Sequence, residues 1–296
     1  MQKIYILLLS SFLILLPANA SELENIINKV YEKSSKSTES YLENLFSGPG
    51  DTEVSIMGKN TNKPEASIMI VRPLKIQDDN ILFYQGQISN YSVVGKERQG
   101  LNLGLGYRNL SDDGSSFYGV NSFIDSDSEE NLRASLGLEL RSSNFELNGN
   151  YYEALSGGVK VGSDTNRALS GHNISVVGQM PYVPWANLSV SSYEWDAAKN
   201  SKNSKGEVYK GVFNLTNSIS LEAGVDDNNL SLENNFARFT YTYPGRERAT
   251  MLNGFVSTDA FENSDVREDM LSKVKRSNQI TVEVESSGII ISNGNS

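Results

Sequence analysis

The chain has no cysteine in 296 residues and a single histidine, His172. Without cysteine there are no disulfides and no thiolate chemistry, and one histidine leaves no donor set for a zinc-type centre. No cofactor is expected. A formal net charge of −10 argues against a nucleic-acid partner, because phosphate binding needs a basic surface. Long apolar runs are also missing beyond Ile4 to Leu16 at the amino terminus. A membrane-spanning helix needs ~20 mostly apolar residues, so any passage through a bilayer must be made by strands.

The features that are present begin with export. Lys3 precedes the apolar core Ile4 to Leu16, and Pro17-Ala18-Asn19-Ala20 supplies small residues at a cleavage site. Residues 1–20 therefore read as a signal peptide. Residues 21–50 read as a periplasmic helical lead-in. Leu23, Ile26, Ile27, Val30, Tyr41, Leu42, Leu45 and Phe46 recur at three- and four-residue steps until Gly48-Pro49-Gly50 ends them.

From residue 51 to 244 the period changes to two. Leu132, Ala134, Leu136, Leu138 and Leu140 alternate with Arg133, Ser135, Gly137, Glu139 and Arg141, so one strand face is oily and the other polar. Twelve such segments are predicted, near 52–58, 67–75, 80–91, 100–110, 116–126, 131–142, 145–155, 170–180, 186–196, 207–217, 219–226 and 234–243. Arg108, Arg133, Glu139, Arg141 and Arg238 all fall on the polar face. In a sandwich core each unpaired buried charge costs several kcal/mol, whereas a wet lumen hydrates it. The fold class expected is therefore all-β, a twelve-stranded antiparallel transmembrane barrel with its oily face toward lipid. Short links and two longer polar gaps, 156–169 and 197–206, fit the two unequal ends of such a barrel. Many of the 14 tyrosines and both tryptophans lie near strand ends, which predicts aromatic girdles at the membrane interfaces; Tyr107, Tyr118, Tyr151, Tyr152, Tyr182, Trp185, Tyr193, Trp195, Tyr241 and Tyr243 are the candidates.

Chemistry has little purchase. Ser170 and His172 are close in sequence, but nucleophilic catalysis also needs an orienting group, and no enzyme is expected. Asp125, Asp127, Glu129 and Glu130 read as a solvated loop in preference to a calcium site or a divalent bridge to lipopolysaccharide. Strand glycines such as Gly104, Gly106, Gly137, Gly149 and Gly178 make room in the lumen or ease bending.

Two stretches are more specific than this pattern. Tyr118-Gly119-Val120-Asn121-Ser122-Phe123-Ile124-Asp125 is followed by Arg133 and by Leu136-Gly137-Leu138-Glu139. Gly149-Asn150-Tyr151-Tyr152 leads to Gly171-His172-Asn173-Ile174 and on to Pro181-Tyr182-Val183-Pro184. In this order they resemble the β-domain of the inverse autotransporters, the intimin and invasin family, over roughly Thr52 to Glu285. That resemblance implies a twelve-stranded barrel in the bacterial outer membrane with both strand ends near the periplasm. It also implies a linker after the last strand that runs back up through the pore. Lipid, lipopolysaccharide, the barrel-assembly machinery and periplasmic chaperones are the partners it implies.

Here residues 245–296 occupy the linker's place. Residues 265–276 read as a short helix through Val266, Met270, Leu271 and Val274. Ile280, Val282 and Val284 then alternate, and Asn278 to Ser292 would cross a ~30 Å core at ~3.3 Å per residue. Arg108, Arg133, Glu139, Arg141 and Arg238 are expected to hold the linker backbone. No adhesin passenger and no lysin-type module is expected in this chain. The function expected is a translocator domain that anchors and exports its own carboxyl-terminal segment. The alternatives are a binding protein acting through the 156–169 and 197–206 loops, or a solute pore.

Overall fold

The computed structural model describes residues 48–293 except 60–62, 201, 230–233, 255, 262–263 and 287–288. The expected signal and nearly all of the helical lead-in lie outside these residues. The chain divides into units over residues 1–48 and 49–296, and the architecture below is that of the second.

In chain order the strands are β1 (Thr52–Lys59), β2 (Glu65–Ile76), β3 (Asn80–Val93), β4 (Lys96–Leu110), β5 (Ser116–Asp127), β6 (Leu132–Ser142), β7 (Phe145–Ala154), β8 (Gly158–Val161), β9 (Asp164–Ala168), β10 (Gly171–Met180), β11 (Val183–Trp195), β12 (Ser204–Asn214), β13 (Ile219–Asn228), β14 (Asn234–Tyr243), β15 (Val282–Ser286) and β16 (Ile289–Asn293). Twelve of them close an antiparallel barrel in the order β1-β14-β13-β12-β11-β10-β7-β6-β5-β4-β3-β2. All twelve predicted segments are barrel strands. The closing seam pairs Thr52 with Tyr243 through to Lys59 with Phe236, and Ser55 and Thr240 hydroxyls meet across it at 3.0 Å.

The alternation resolves as expected of a barrel. On β6, Leu136 and Leu138 are 65% and 66% exposed on the outer surface, while Arg133 points inward and is fully buried. An even strand number brings the start of β1 and the end of β14 to one rim. The links there are short, none longer than residues 111–115, whereas the opposite rim carries 155–170 and 196–203. At the short-link rim Asp113 accepts from the Ser111 hydroxyl and from the Ser115 amide and hydroxyl. These bonds, led by that of Ser111, hold its carboxyl down at about 2.

At the long-loop rim the 155–170 connection folds into the hairpin β8–β9. That hairpin belongs to a second, four-stranded sheet of order β16-β15-β9-β8. Strand β15 pairs antiparallel with β9, Val282 opposite Ala168 and Glu285 opposite Thr165. A connection predicted as polar loop is thus half of a sheet completed by the end of the chain.

The expected girdle is partly corrected. Tyr107, Tyr118, Tyr151, Tyr182 and Tyr241 are exposed, but Tyr152, Tyr193 and Trp195 are buried inside the lumen with Leu169 and Val208. Strand parity decides this: Tyr152 shares the inward face with Asn148 and Asn150, and Trp195 shares it with Tyr193. The strand glycines are also refined. A Cβ on Gly106 would lie 2.2 Å from the Phe83 ring and one on Gly104 2.3 Å from Phe123, so these positions make room for wall aromatics, while Gly149 and Gly178 have open space around them.

Gly106→Val should therefore overpack the wall and destabilise the barrel by ~1–3 kcal/mol. Gly149→Val, whose Cβ meets nothing within 4 Å, should leave stability unchanged. Urea unfolding of the refolded barrel in micelles compares the two, and equal midpoints would refute the packing role.

Candidate functional site: the seat of the tail in the lumen

After β14 the chain follows the short-link rim. The Arg246 amide donates to Asn217 O, that of Met251 to Asn214 O and that of Ser257 to Tyr182 O. Arg246 pairs with both Asp51 and Asp269. The chain then turns inward, with the Val266 amide donating to Gly114 O at 3.0 Å. Residues 266–281 run through the lumen to Thr281 O, which accepts from the Leu169 amide at 2.9 Å at the opposite rim.

The expected helix over 265–276 is only a 3-10 turn, Arg267–Leu271. Its apolar spacing survives, since Val266, Met270 and Val274 pack on Val71, Phe83, Leu110, Phe117 and Phe123 of the wall. What changes is who satisfies the backbone. A helix bonds its own amides and carbonyls, whereas here the wall does so. Arg108 Nη1 donates to Met270 O at 2.9 Å and Ser272 O at 2.7 Å. Gln85 Oε1 accepts from the Val274 amide at 2.8 Å. The crossing also lies earlier than the expected 278–292, because β15 already stands beyond the rim, paired with β9.

Strands β5 and β6 carry most of the motif residues, and their register shows why. Gly119 faces Glu139, Asn121 faces Gly137, Phe123 faces Ser135 and Asp125 faces Arg133, a large side chain meeting a small one or an acid meeting a base. A Cβ on Gly119 would lie 2.5 Å from Glu139 Oε1 and 2.9 Å from Arg108 Cγ. Gly119 therefore leaves space for the Arg108–Glu139 pair, whose two bonds measure 2.8 and 2.9 Å. The Arg108 guanidinium sits 4.5 Å from the Phe83 centroid and 5.1 Å from that of Phe117. On Gly137 a Cβ would lie 2.4 Å from Asn150 Oδ1. Tyr118 faces outward, Gly171 opens β10 where a Cβ would meet Glu194 O, Pro181 lies in the β10–β11 turn, and Pro184 lies on β11.

Asp125 is the centre of the seat. Arg276 of the tail grips it with Nη1 at 2.9 Å and Nη2 at 2.6 Å, and Arg133 of the wall approaches the same carboxylate at 2.9 to 3.0 Å. All three side chains are fully buried. Arg133 has a second role, its Nη2 donating to Ser277 O at 2.8 Å. Each guanidinium lies over a ring, Arg133 on Tyr152 at 4.4 Å and Arg276 on Phe123 at 4.3 Å. Asn102 bridges from Asp125 to Asn278 O, both at 2.8 Å. The acidic run 125–130 is thus not one solvated loop. Asp125 belongs to the lumen, and Asp127 accepts from the Glu129 and Asn131 amides and pairs with Arg98.

Further ties flank this centre. Lys273 meets Glu53 at 2.7 Å and Lys275 contacts Glu146. The Ser277 amide donates to the Tyr152 hydroxyl at 2.8 Å, and Gln279 to Glu65 at 2.7 Å. Arg141 reaches Asp269 at 2.8 Å and the Ser272 hydroxyl at 3.2 Å. Arg238 instead sits 3.4 Å from Glu222 and 3.3 Å from Met57 Sδ within the wall. At the far rim the buried Glu283 carboxylate accepts from the amides of Ala198, Lys199 and Asn200 at 3.2, 2.8 and 3.1 Å. Arg167 meets Glu285 at 2.8 Å and lowers its pKa. Sequence reasoning missed Tyr152, Gln85, Asn102 and Glu283. The first three share inward parity with residues it chose, while nothing local marks Glu283. His172 points outward and Ser170 Oγ accepts from the Ala154 amide at 3.0 Å, so the pair does not converge on a site.

Asp125→Ala would strand two buried guanidinium groups, and the tail seat should weaken by ~3–5 kcal/mol. Arg276→Met leaves Arg133 and Asn102 on the carboxylate and should lose less, ~1–3 kcal/mol. The urea concentration at which protease first cuts residues 266–281 in micelles reads both. The reverse ranking would exclude Asp125 as the centre.

Comparison with known proteins bears on the family and the fold. The family model described as inverse autotransporter, beta-domain, matches residues 16–279. No curated protein matches the sequence. Among solved structures, a membrane protein reported under "Unveiling the Mechanism Behind the in-meso Crystallization of Membrane Proteins" aligns with a TM-score of 0.63 at 18% identity, covering 79% of this chain and 99% of that one. An outer membrane channel from Pseudomonas putida F1 aligns at 0.48 with 10% identity over 68% and 98% of the two chains. The KdgM porin aligns at 0.44 with 8% identity over 64% and 98%. The chain belongs to the inverse autotransporter β-domain family and is a barrel of the bacterial outer membrane.

Proposed function

We propose that the barrel anchors and exports its own carboxyl-terminal segment, holding residues 266–281 in the pore and presenting the following strands at the cell surface. The observation that carries this reading is the polar ladder along the tail, from Val266 on Gly114 to Thr281 on Leu169. It is anchored midway by the Arg276–Asp125–Arg133 cluster. The rim with short links faces the periplasm and the rim with 155–170 and 196–203 faces outward, as is usual in outer-membrane barrels. One 3-10 turn at ~2 Å per residue and extended chain at ~3.3 Å suffice for a ~30 Å core.

Lipid and lipopolysaccharide surround the outer face. We assign delivery to periplasmic chaperones and insertion to the barrel-assembly machinery, the route the family implies. A reading in which free surface loops bind a partner is less well supported, because β9 of the 155–170 loop is already paired with β15 and the 196–203 loop is committed to Glu283.

An epitope appended after Ser296 should be lost when intact cells are treated with protease. Protection until the outer membrane is opened would refute surface display. Removing residues 245–296 should raise the conductance of the barrel in planar bilayers several-fold, and equal conductance with and without them would refute occupation of the pore.

A further inference from the structure

The tail does not fill the lumen evenly. Inside the lumen the ties of residues 270–279 named above run to β1–β7, so the tail leans on one arc of the wall. The opposite arc, β10–β14, turns small hydroxyl and amide side chains inward, among them Ser175, Asn187, Ser191, Ser220, Thr240 and Thr242. Between that arc and the tail lies a cavity of about 1070 Å³. Its lining runs from Ser143, Arg248 and Glu268 at the short-link rim to Lys63, Gly95 and Asn228 at the long-loop rim. It therefore reaches both ends of the barrel. Spread over a ~30 Å hydrocarbon thickness, it averages roughly 35 Å² in section, room for a hydrated inorganic ion or a small polyol.

Most of the charges along it are paired, with one base in excess at Glu222. Glu222 sits between Lys210 at 3.2 Å and Arg238 at 3.4 Å. Lys59 meets Glu65 at 2.8 Å, and Lys273 meets Glu53 at 2.7 Å. Charge-selective pores use rings of one sign, and hydrophobic constrictions close by dewetting. This lining has acids and bases in contact between rows of hydroxyls, with one base over at Glu222, which supports a continuous file of water with at most a weak preference for anions.

We propose that the half-lumen beside the seated tail is a permeation path for small hydrophilic solutes, neutral, zwitterionic or singly charged. The proposal rests on the reading that the tail occupies the other half of the pore. It makes the barrel a narrow diffusion channel at the same time as an anchor.

The test is conductance of the full chain in planar bilayers in potassium chloride. A steady level is expected, several-fold below that of the chain lacking residues 245–296, so that seated and unseated tails separate by amplitude. Because the chain has no cysteine, Ser191→Cys gives a single handle on the cavity lining, introduced without overpacking. Reaction of the folded variant with a bulky thiosulfonate should lower conductance at least threefold. The same reagent on Val190→Cys, whose side chain faces lipid, should change nothing. A silent full chain, conduction only at the tail-deleted level, or indifference to labelling at position 191 verified by mass would each overturn the path. A silent chain whose epitope is still shaved from intact cells would leave the export reading standing.

Discussion

One carboxylate shared by two arginines governs the interior of this barrel. Asp125 is supplied by the wall, Arg133 by the adjacent strand and Arg276 by the tail, and none of the three is exposed. Neither guanidinium has an equally good acid elsewhere in its reach, and the aromatic rings beneath them attract the cations without neutralising them. Removing Asp125 leaves two guanidinium groups buried without compensation, the expensive outcome in a desolvated site, whereas removing either arginine leaves the other on the carboxylate. This cluster fixes the height of the tail in the pore, because the same Nη2 of Arg133 that approaches Asp125 also donates to Ser277 O.

The remaining contacts follow from that height. An extended segment inside a barrel has no partner strand, since every wall strand is already bonded on both sides. Its amides and carbonyls must be met by side chains, and the wall provides a donor or acceptor at intervals: Arg108 for Met270 and Ser272, Gln85 for Val274, Tyr152 for Ser277. Such side chains need space and orientation. Gly119 clears the Arg108–Glu139 pair, and Gly104 and Gly106 admit the Phe123 and Phe83 rings that flank the arginines. Small and large residues on facing strands are therefore two halves of one arrangement.

The barrel strands were legible in the sequence because each strand lies between two solvents. Lipid outside and a polar lumen inside impose a period of two along strands of about ten residues, and Leu136 and Arg133 are sorted by it without ambiguity. Motif residues on β5 and β6 were legible as a set, although their pairing, Gly against Glu and Asp against Arg, needed the register. Tyr152, Tyr193 and Trp195 were readable by parity, but the general expectation of interfacial aromatics outweighed it. The β8–β9 hairpin was not readable. Its strands are four and five residues long: β8 alternates too briefly to stand out, and Asp164, Thr165 and Asn166 of β9 are all buried, so no alternation survives there. The tail's helical spacing was real but answered to wall aromatics spaced along the lumen, while its backbone obeyed the wall's donors. Glu283 was invisible because its partners are three main-chain amides some 80 positions away.

The sheet at the outer rim has a mechanical consequence. Four strands ~4.8 Å apart, with β15 joined to β9 through four residue pairs and to β16 through five, form a plate that a lumen already holding its own tail cannot admit. Drawing the chain back through the barrel would mean unzipping these ladders, and drawing it the other way would shear β15 from β9, which is fixed to the wall between β7 and β10. The hairpin β8–β9 thus behaves as a clamp: the tail is held at the rim by main-chain ladders as well as in the lumen by side chains, and sliding it either way breaks both sets of bonds.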